Sequence, residues 1–188
     1  EQLAGLRAIP NLNVFRPADI NETFECWELA LKNENTPSAI ALSRQKVPYI
    51  NPKNSKENKC EKGAYVVNLT SHESNVTLVA SGTEVELALK VQDKLKENNI
   101  HSKVVSMPCM ELFDKQPEDY RKDILEENSL IITLEAGSVM SWQKYIKNKG
   151  TNLGIDKFGE SAPYKEVYKH FKLSEEDITN FIQKKLRE

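Results

Sequence analysis

The chain has 188 residues, 39% hydrophobic and 29% charged, with 26 Lys+Arg against 28 Asp+Glu for a net charge of −2. That length allows one large domain, or one domain with a piece of a second, and the mean hydropathy of −0.57 is polar for a globular protein. The interspersed, nearly balanced charge excludes an overall basic field that would draw in nucleic acid. No apolar run approaches the ~18–20 residues of a membrane-crossing helix, so neither nucleic acid nor membrane is an expected partner.

The opening Glu1-Gln2-Leu3-Ala4-Gly5-Leu6-Arg7 has neither the basic segment nor the apolar stretch of a signal peptide. It begins without Met inside a helical pattern, so the expectation is a chain cut from something longer. Cys26, Cys60 and Cys109 are far apart and odd in number, which suggests neither a zinc site nor a disulfide framework. The glycosylation patterns at Asn21, Asn68 and Asn75 read as chance matches in a reducing, cytoplasmic setting.

Leu3, Leu6 and Ile9 have helical spacing and Pro10 stops that helix. Leu12 to Phe15 is a predicted strand. Asp19 with Glu22 forms a capping pair for a helix whose Phe24, Trp27 and Leu31 share one face, with Ala30 beside them. Ala39 to Leu42, apolar without alternation, is the pattern of a buried parallel strand, and completes a βαβ unit. Residues 1–43 therefore look like the end of an α/β domain. As an incomplete sheet, they are expected to be poorly ordered or to rely on a neighbour, exposing Phe15, Phe24 and Trp27.

Residues 44–62, with Pro48, Pro52 and few apolar positions, are a linker. Residues 63–188 then alternate strands with helices. Tyr65–Val67, Val76–Ala80, Lys103–Ser106 and Leu130–Leu134 are the predicted strands, the last central in the sheet. Thr83 with Glu86 reads as a capping box opening a helix that turns Val85, Leu87, Ala88, Val91 and Leu95 inward. Helices are also expected over 118–127, around Trp142, Tyr145 and Ile146, after Pro163, and from Ser174, capped by Asp177, through Ile178, Phe181, Ile182 and Leu186. Residues 150–159 read as irregular. The fold class is α/β: three layers, a mainly parallel sheet covered by helices, preceded by a partial α/β domain.

Several residues could carry chemistry. Gly82-Thr83-Glu84, between a strand and a helix start, could hold phosphate on free N–H groups. A single glycine and two nearby carboxylates favour a capped tight turn instead. His72, His101 and His170 have no ligand at metal spacing and read as surface histidines. Glu135 follows a central strand and projects at the carboxyl edge, where open α/β sheets place ligands; a helix cap or an interface carboxylate is the competing reading. Arg44 follows Ala39–Leu42 directly. A guanidinium there either grips a phosphate with paired hydrogen bonds or makes a salt bridge in a domain interface.

Ala41-Leu42-Ser43-Arg44-Gln45, Gly82-Thr83-Glu84-Val85-Glu86-Leu87-Ala88, Val104-Val105-Ser106-Met107-Pro108, Phe113-Asp114-Lys115-Gln116, Tyr120-Arg121 and Phe158-Gly159-Glu160-Ser161-Ala162-Pro163 together resemble the C-terminal third of transketolases. Residues 1–19 resemble the later part of that family's pyrimidine-binding domain. The resemblance implies a thiamine diphosphate-dependent transferase of the pentose phosphate pathway that uses Mg or Ca and works as a cytoplasmic homodimer on sugar phosphates. It also implies that Arg44 binds the substrate's phosphate. The family's Gly-Asp-Gly metal motif, its activating glutamate and its Gly-Pro-Thr-His-Gln-Pro segment are absent from this sequence. The resemblance therefore implies a division into the end of the pyrimidine-binding domain (1–43), a linker (44–62) and the C-terminal domain (63–188). It implies no catalytic, cofactor or metal residue here, and no activity or bound cofactor for the chain alone. Two other readings stand beside it: a dimerisation or regulatory nucleotide-binding module with its ligand near Gly82, Met107 and Glu135, and the small subunit of a split enzyme.

Overall fold

The structure is a computed structural model and describes residues 1–50, 57–71, 73–126, 128–146 and 150–188. His72 and part of the predicted linker lie outside the described residues.

The first helix, α1, spans Gln2–Arg7 and leads into strand β1, Asn13–Phe15. Helix α2, Ile20–Lys32, follows, and strand β2, Ser38–Ile40, returns parallel to β1 with Val14 opposite Ala39. This is the βαβ unit read from the sequence. The Asp19 cap forms as expected, its carboxylate accepting from Glu22 N at 2.9 Å. Glu22 reaches back one residue further than a capping box requires, to Ala18 N at 2.7 Å. The apolar stripe of α2 is exposed, as expected for Phe24 and Trp27. Phe24, Trp27 and Leu31 are 69%, 50% and 76% exposed, while Glu22 and Cys26 are buried. Glu22, Cys26 and the partly buried Leu29 and Ala30 also recur at helical spacing, and that stripe meets the rest of the chain. β2 is half-buried rather than buried.

A five-stranded sheet follows, in the order β3-β5-β4-β6-β7. Its strands are β3 Tyr65–Leu69, β4 Val76–Ala80, β5 Ser102–Ser106, β6 Leu130–Leu134 and β7 Thr151–Leu153. β3 is antiparallel to β5 and the other pairs are parallel. The middle strand is β4, with β6 beside it, so the strand read as central is one place off. β7 lies in the stretch read as irregular.

Side-chain alternation divides this sheet between two cores. Leu78, Ala80, Val104, Ile132 and Leu134 face α3 (Glu84–Glu97) and the last helix, α7 (Glu175–Lys185), through Val85, Val91, Leu95, Ile178 and Ile182. Val79, Val105 and Ile131 face the other way, toward Phe113 of α4 (Met110–Asp114), Ile124 of α5 (Glu118–Leu125), and Trp142 and Tyr145. The three-layer expectation is met. Trp142 and Tyr145 lie on a 3-10 helix, Val139–Tyr145, and α6 (Tyr164–His170) starts at Pro163. Ser174 caps α7 as read, accepting from Asp177 N at 3.2 Å. The Thr83 box does not form: Thr83 already has helical dihedrals, and its hydroxyl donates to Glu84 at 2.7 Å.

The two sheets meet in a third core built on Phe15, Cys26, Cys60 and Cys109. Phe15 bridges to Cys109, and Arg16 N donates to Pro108 O at 2.8 Å. Cys60 sits in a second 3-10 helix, Lys59–Lys62, inside the segment read as a plain linker. All three cysteines are buried free thiols. Phe15, expected at the surface, is 1% exposed because the neighbour it relies on belongs to the same chain. Phe15→Ala should destabilise the protein by about 3–5 kcal/mol, the usual cost of emptying a buried ring site. Urea unfolding of the variant against the unmodified chain measures this.

Candidate functional site

From β4 the chain crosses to β5 on one side, then returns to place β6 on the other. The carboxyl ends of β4 and β6 thus flank the point where the order reverses, the usual ligand crevice of such sheets. Ser81 and Gly82 leave β4 there and Glu135 leaves β6. Gly82 takes φ +58°, a left-handed conformation that favours glycine.

Two guanidinium groups from the first sixteen residues fill this crevice. Arg7, ending α1, makes a two-pronged contact with Glu135, at 2.7 and 2.9 Å. Arg16, directly after β1, bonds Ser81 O at 2.8 Å, lies 3.3 Å from Glu135 and pairs closely with Glu84. Ser81 Oγ at 2.7 Å and Trp142 Nε1 at 2.8 Å also donate to Glu135, and Tyr168 OH donates to Glu84. A β-carbon on Gly82 would fall 2.9 Å from the Arg16 guanidinium carbon. The turn that might have cradled a phosphate instead supports an arginine.

The electrostatics follow from this packing. Burial works to raise the Glu135 pKa, but the Arg7 hydrogen bonds and charge, then Arg16 and Ser81, hold it down at about 2. Burial likewise opposes the charge on Arg16, yet Glu84 and Glu135 push its pKa up. Burial and the Glu84 carboxylate together push the Tyr168 phenol up.

Of the residues singled out in sequence, Glu135 and Gly82 come together here, and Glu135 is an interface carboxylate. Arg7 and Arg16, read only as a helix end and a turn, are the charged groups that meet it. Arg44 lies elsewhere. It is four residues beyond β2, exposed, and among the described residues no carboxylate pairs with it. The next residues, Gln45 to Val47, border an open cleft of about 430 Å³ whose walls carry Lys165 and Lys169. His101 and His170 are exposed, as read. Among the described residues no group of His, Cys, Asp or Glu could hold a metal ion, and no helix is long and apolar enough to cross a membrane.

The arrangement is thus a βαβ unit bolted by two arginines into the crevice of a second, mainly parallel sheet. Comparison with known proteins gives this class a family. The family model "Transketolase-like TK C-terminal domain" matches residues 63–174, and "Transketolase, pyrimidine binding domain" matches residues 1–49. Transketolases of Sinorhizobium medicae and Aquifex aeolicus are 43% and 40% identical, over 95% and 98% of this chain but only 26% and 27% of their own length. A transketolase variant from Pichia stipitis, solved in complex with fructose-6-phosphate, superposes with a TM-score of 0.90 at 34% identity, covering 98% of this chain and 26% of that one. A structure described as a split gene transketolase, an inactive beta4 tetramer, gives 0.82 at 25% identity, covering all of this chain and 62% of that one. This chain belongs to the transketolase family, and spans about a quarter of the length of the curated relatives it matches.

Arg16→Ala should cost about 3–5 kcal/mol, because it leaves Glu84 and Glu135 buried with their countercharge reduced. Glu135, ordinarily at 4.5 and held at about 2, contributes stability that is complete above pH 4.5 and lost as pH falls toward 2. That contribution is about 3 kcal/mol. Chemical denaturation between pH 5 and pH 2 should show this acid limb, and Glu135→Gln should flatten it.

Proposed function

We propose that this chain is part of a transketolase that transfers a two-carbon ketol unit from a ketose phosphate to an aldose phosphate in the pentose phosphate pathway. The family matches over residues 1–49 and 63–174 carry this reading, and the fructose-6-phosphate of the Pichia stipitis neighbour agrees with it. Residues 1–43 end the pyrimidine-binding domain, 44–62 are the linker and 63–188 are the C-terminal domain. The working enzyme is a cytoplasmic homodimer using thiamine diphosphate with Mg or Ca.

The described residues do not fit that cofactor. They offer no metal-ligand cluster, and the crevice that could have received a diphosphate is filled by Arg7 and Arg16, both committed to carboxylates. No chemical step is therefore assigned to this chain. Its contribution to the reaction is binding. Arg44 holds the substrate's phosphate through paired hydrogen bonds, which suit a planar guanidinium better than an ammonium. Its exposed side chain, unpaired among the described residues, supports this role. The filled crevice also disfavours a regulatory nucleotide at Gly82 and Glu135, which leaves packing and subunit assembly as the second reading of residues 63–188.

In the full-length enzyme, Arg44→Ala should lower kcat/KM for phosphorylated acceptors roughly ten- to a hundred-fold, from the ~1.5–3 kcal/mol of a hydrogen bond to a charged group. Non-phosphorylated acceptors should lose far less, and Arg44→Lys should recover part of the loss. Equal losses for both acceptor types would remove Arg44 from the site. The 188-residue chain alone should show no saturable, magnesium-dependent binding of thiamine diphosphate by calorimetry.

A further inference from the structure

We propose that Glu22 is a proton-operated latch between the βαβ unit and the five-stranded sheet, tight when its carboxyl is neutral and looser when it is ionised. Glu22 sits in the first turn of α2 and is 2% exposed. One oxygen accepts from Tyr65 OH of β3 at 2.8 Å and from Ser106 Oγ of β5 at 2.5 Å. The other accepts from Ala18 N at 2.7 Å. The carboxyl therefore spans the seam, with β3 and β5 on one side and the start of α2 on the other.

What sets Glu22 apart is the lack of a countercharge. Glu84 and Glu135 are buried beside arginines, whereas among the described residues no Lys, Arg or His pairs with Glu22. The titratable groups facing it are all acids: Asp19 at the cap of its own helix, Tyr65 on β3, and Cys60 on the 3-10 helix Lys59–Lys62. β5 presents only the neutral Ser106. Lys59 lies over the outer part of this cluster, its Nζ 5.7 Å from the centre of the Tyr65 ring. Burial without a countercharge pushes a carboxyl toward its neutral form, although each hydrogen bond it accepts favours the ionised one. Burial raises the Glu22 pKa to about 7; the bonds from Ser106, Ala18 and Tyr65 oppose this without cancelling it, and Asp19 adds to it.

The sign follows from linkage. A carboxyl near 4.5 when undocked and near 7 when docked stabilises the docked state fully below pH 4.5. That stabilisation is lost as pH rises to 7, so the opening constant of the seam should rise about tenfold per pH unit and then level off. Between pH 5 and 8 the arginine lock adds almost no pH dependence, since Glu135 is ionised throughout. The seam is thus held at one place by fixed charges and at another by a proton.

Amide hydrogen exchange of the intact chain between pH 5 and 8, corrected for intrinsic rates, tests the latch. The Arg16 amide, which bonds Pro108 O across the seam, is read against the Ile132 amide of the buried strand β6. The expected result is an Arg16 opening constant that rises about tenfold per unit up to pH 7 relative to Ile132, with Glu22→Gln flat over the same range. A flat profile in the unmodified chain, or a slope retained in Glu22→Gln, would overturn the proposal. Should the variant fold poorly, carbon NMR titration of the Glu22 carboxyl in the unmodified chain decides it: a midpoint near 7 supports the latch and one near 4.5 refutes it.

Discussion

Two carboxylates buried at one sheet edge, Glu84 and Glu135, need two positive charges, and the chain supplies them from residues 7 and 16. Most of the molecule's particular features serve that neutralisation. Gly82 has no β-carbon, so the Arg16 guanidinium can lie against the turn. Trp142 turns its indole N–H toward Glu135 while its ring fills the core beneath. Tyr168 closes the far side of Glu84. A buried ionic cluster need not add stability over an apolar core of the same shape. What it adds here is orientation: the two-pronged Arg7 contact and the shared Arg16 contact allow one docking angle, and Phe15 then packs among the three cysteines.

The sheet edge illustrates how one location can serve different ends. Open α/β sheets present strand ends, backbone N–H groups and helix starts at a reversal of strand order, and ligands commonly exploit them. In this chain an internal segment takes that place. The exposed arginine, Arg44, and the buried ones, Arg7 and Arg16, are chemically identical, and only their surroundings separate them. Arg7 and Arg16 meet carboxylates in a buried crevice. Arg44 sits exposed after β2, with its hydrogen-bonding fork uncommitted among the described residues.

Much of the fold was legible because strand periodicity and burial agree. Leu130–Leu134 and Val76–Ala80 are apolar on both faces since helices cover both, and that pattern needs no knowledge of partners. The inward stripe of α2 was not legible for the opposite reason. Phe24, Trp27 and Leu31 are more hydrophobic than Glu22, Cys26 and Ala30, yet the second stripe meets the sheet, and only the tertiary contact decides that. Thr83 was misread because a capping box requires a residue outside the helix, and the turn at Gly82 already places Thr83 inside it. Glu135 was recognisable as an edge carboxylate from its position after an apolar strand. Its arginines were not, because they lie 128 and 119 residues away with no local pattern to link them. Arg44 stood out by its place after an apolar run and by the Ser43-Arg44-Gln45 resemblance, and the structure shows it exposed.

That long separation has a consequence for the order of assembly. Residues 1–40 can form their helices and parallel pair early, since those contacts are close in sequence. The lock cannot exist until β6 lies beside β4, because Glu135 has no fixed place before then. During synthesis from the amino end, Arg7 and Arg16 therefore wait, solvated, while more than a hundred residues are added. The loop that must finally close is long and entropically costly to close early. The segment that carries Arg7 and Arg16 is secured only at that closing step, and the third core of Phe15, Cys26 and Cys109 stays open to water until then.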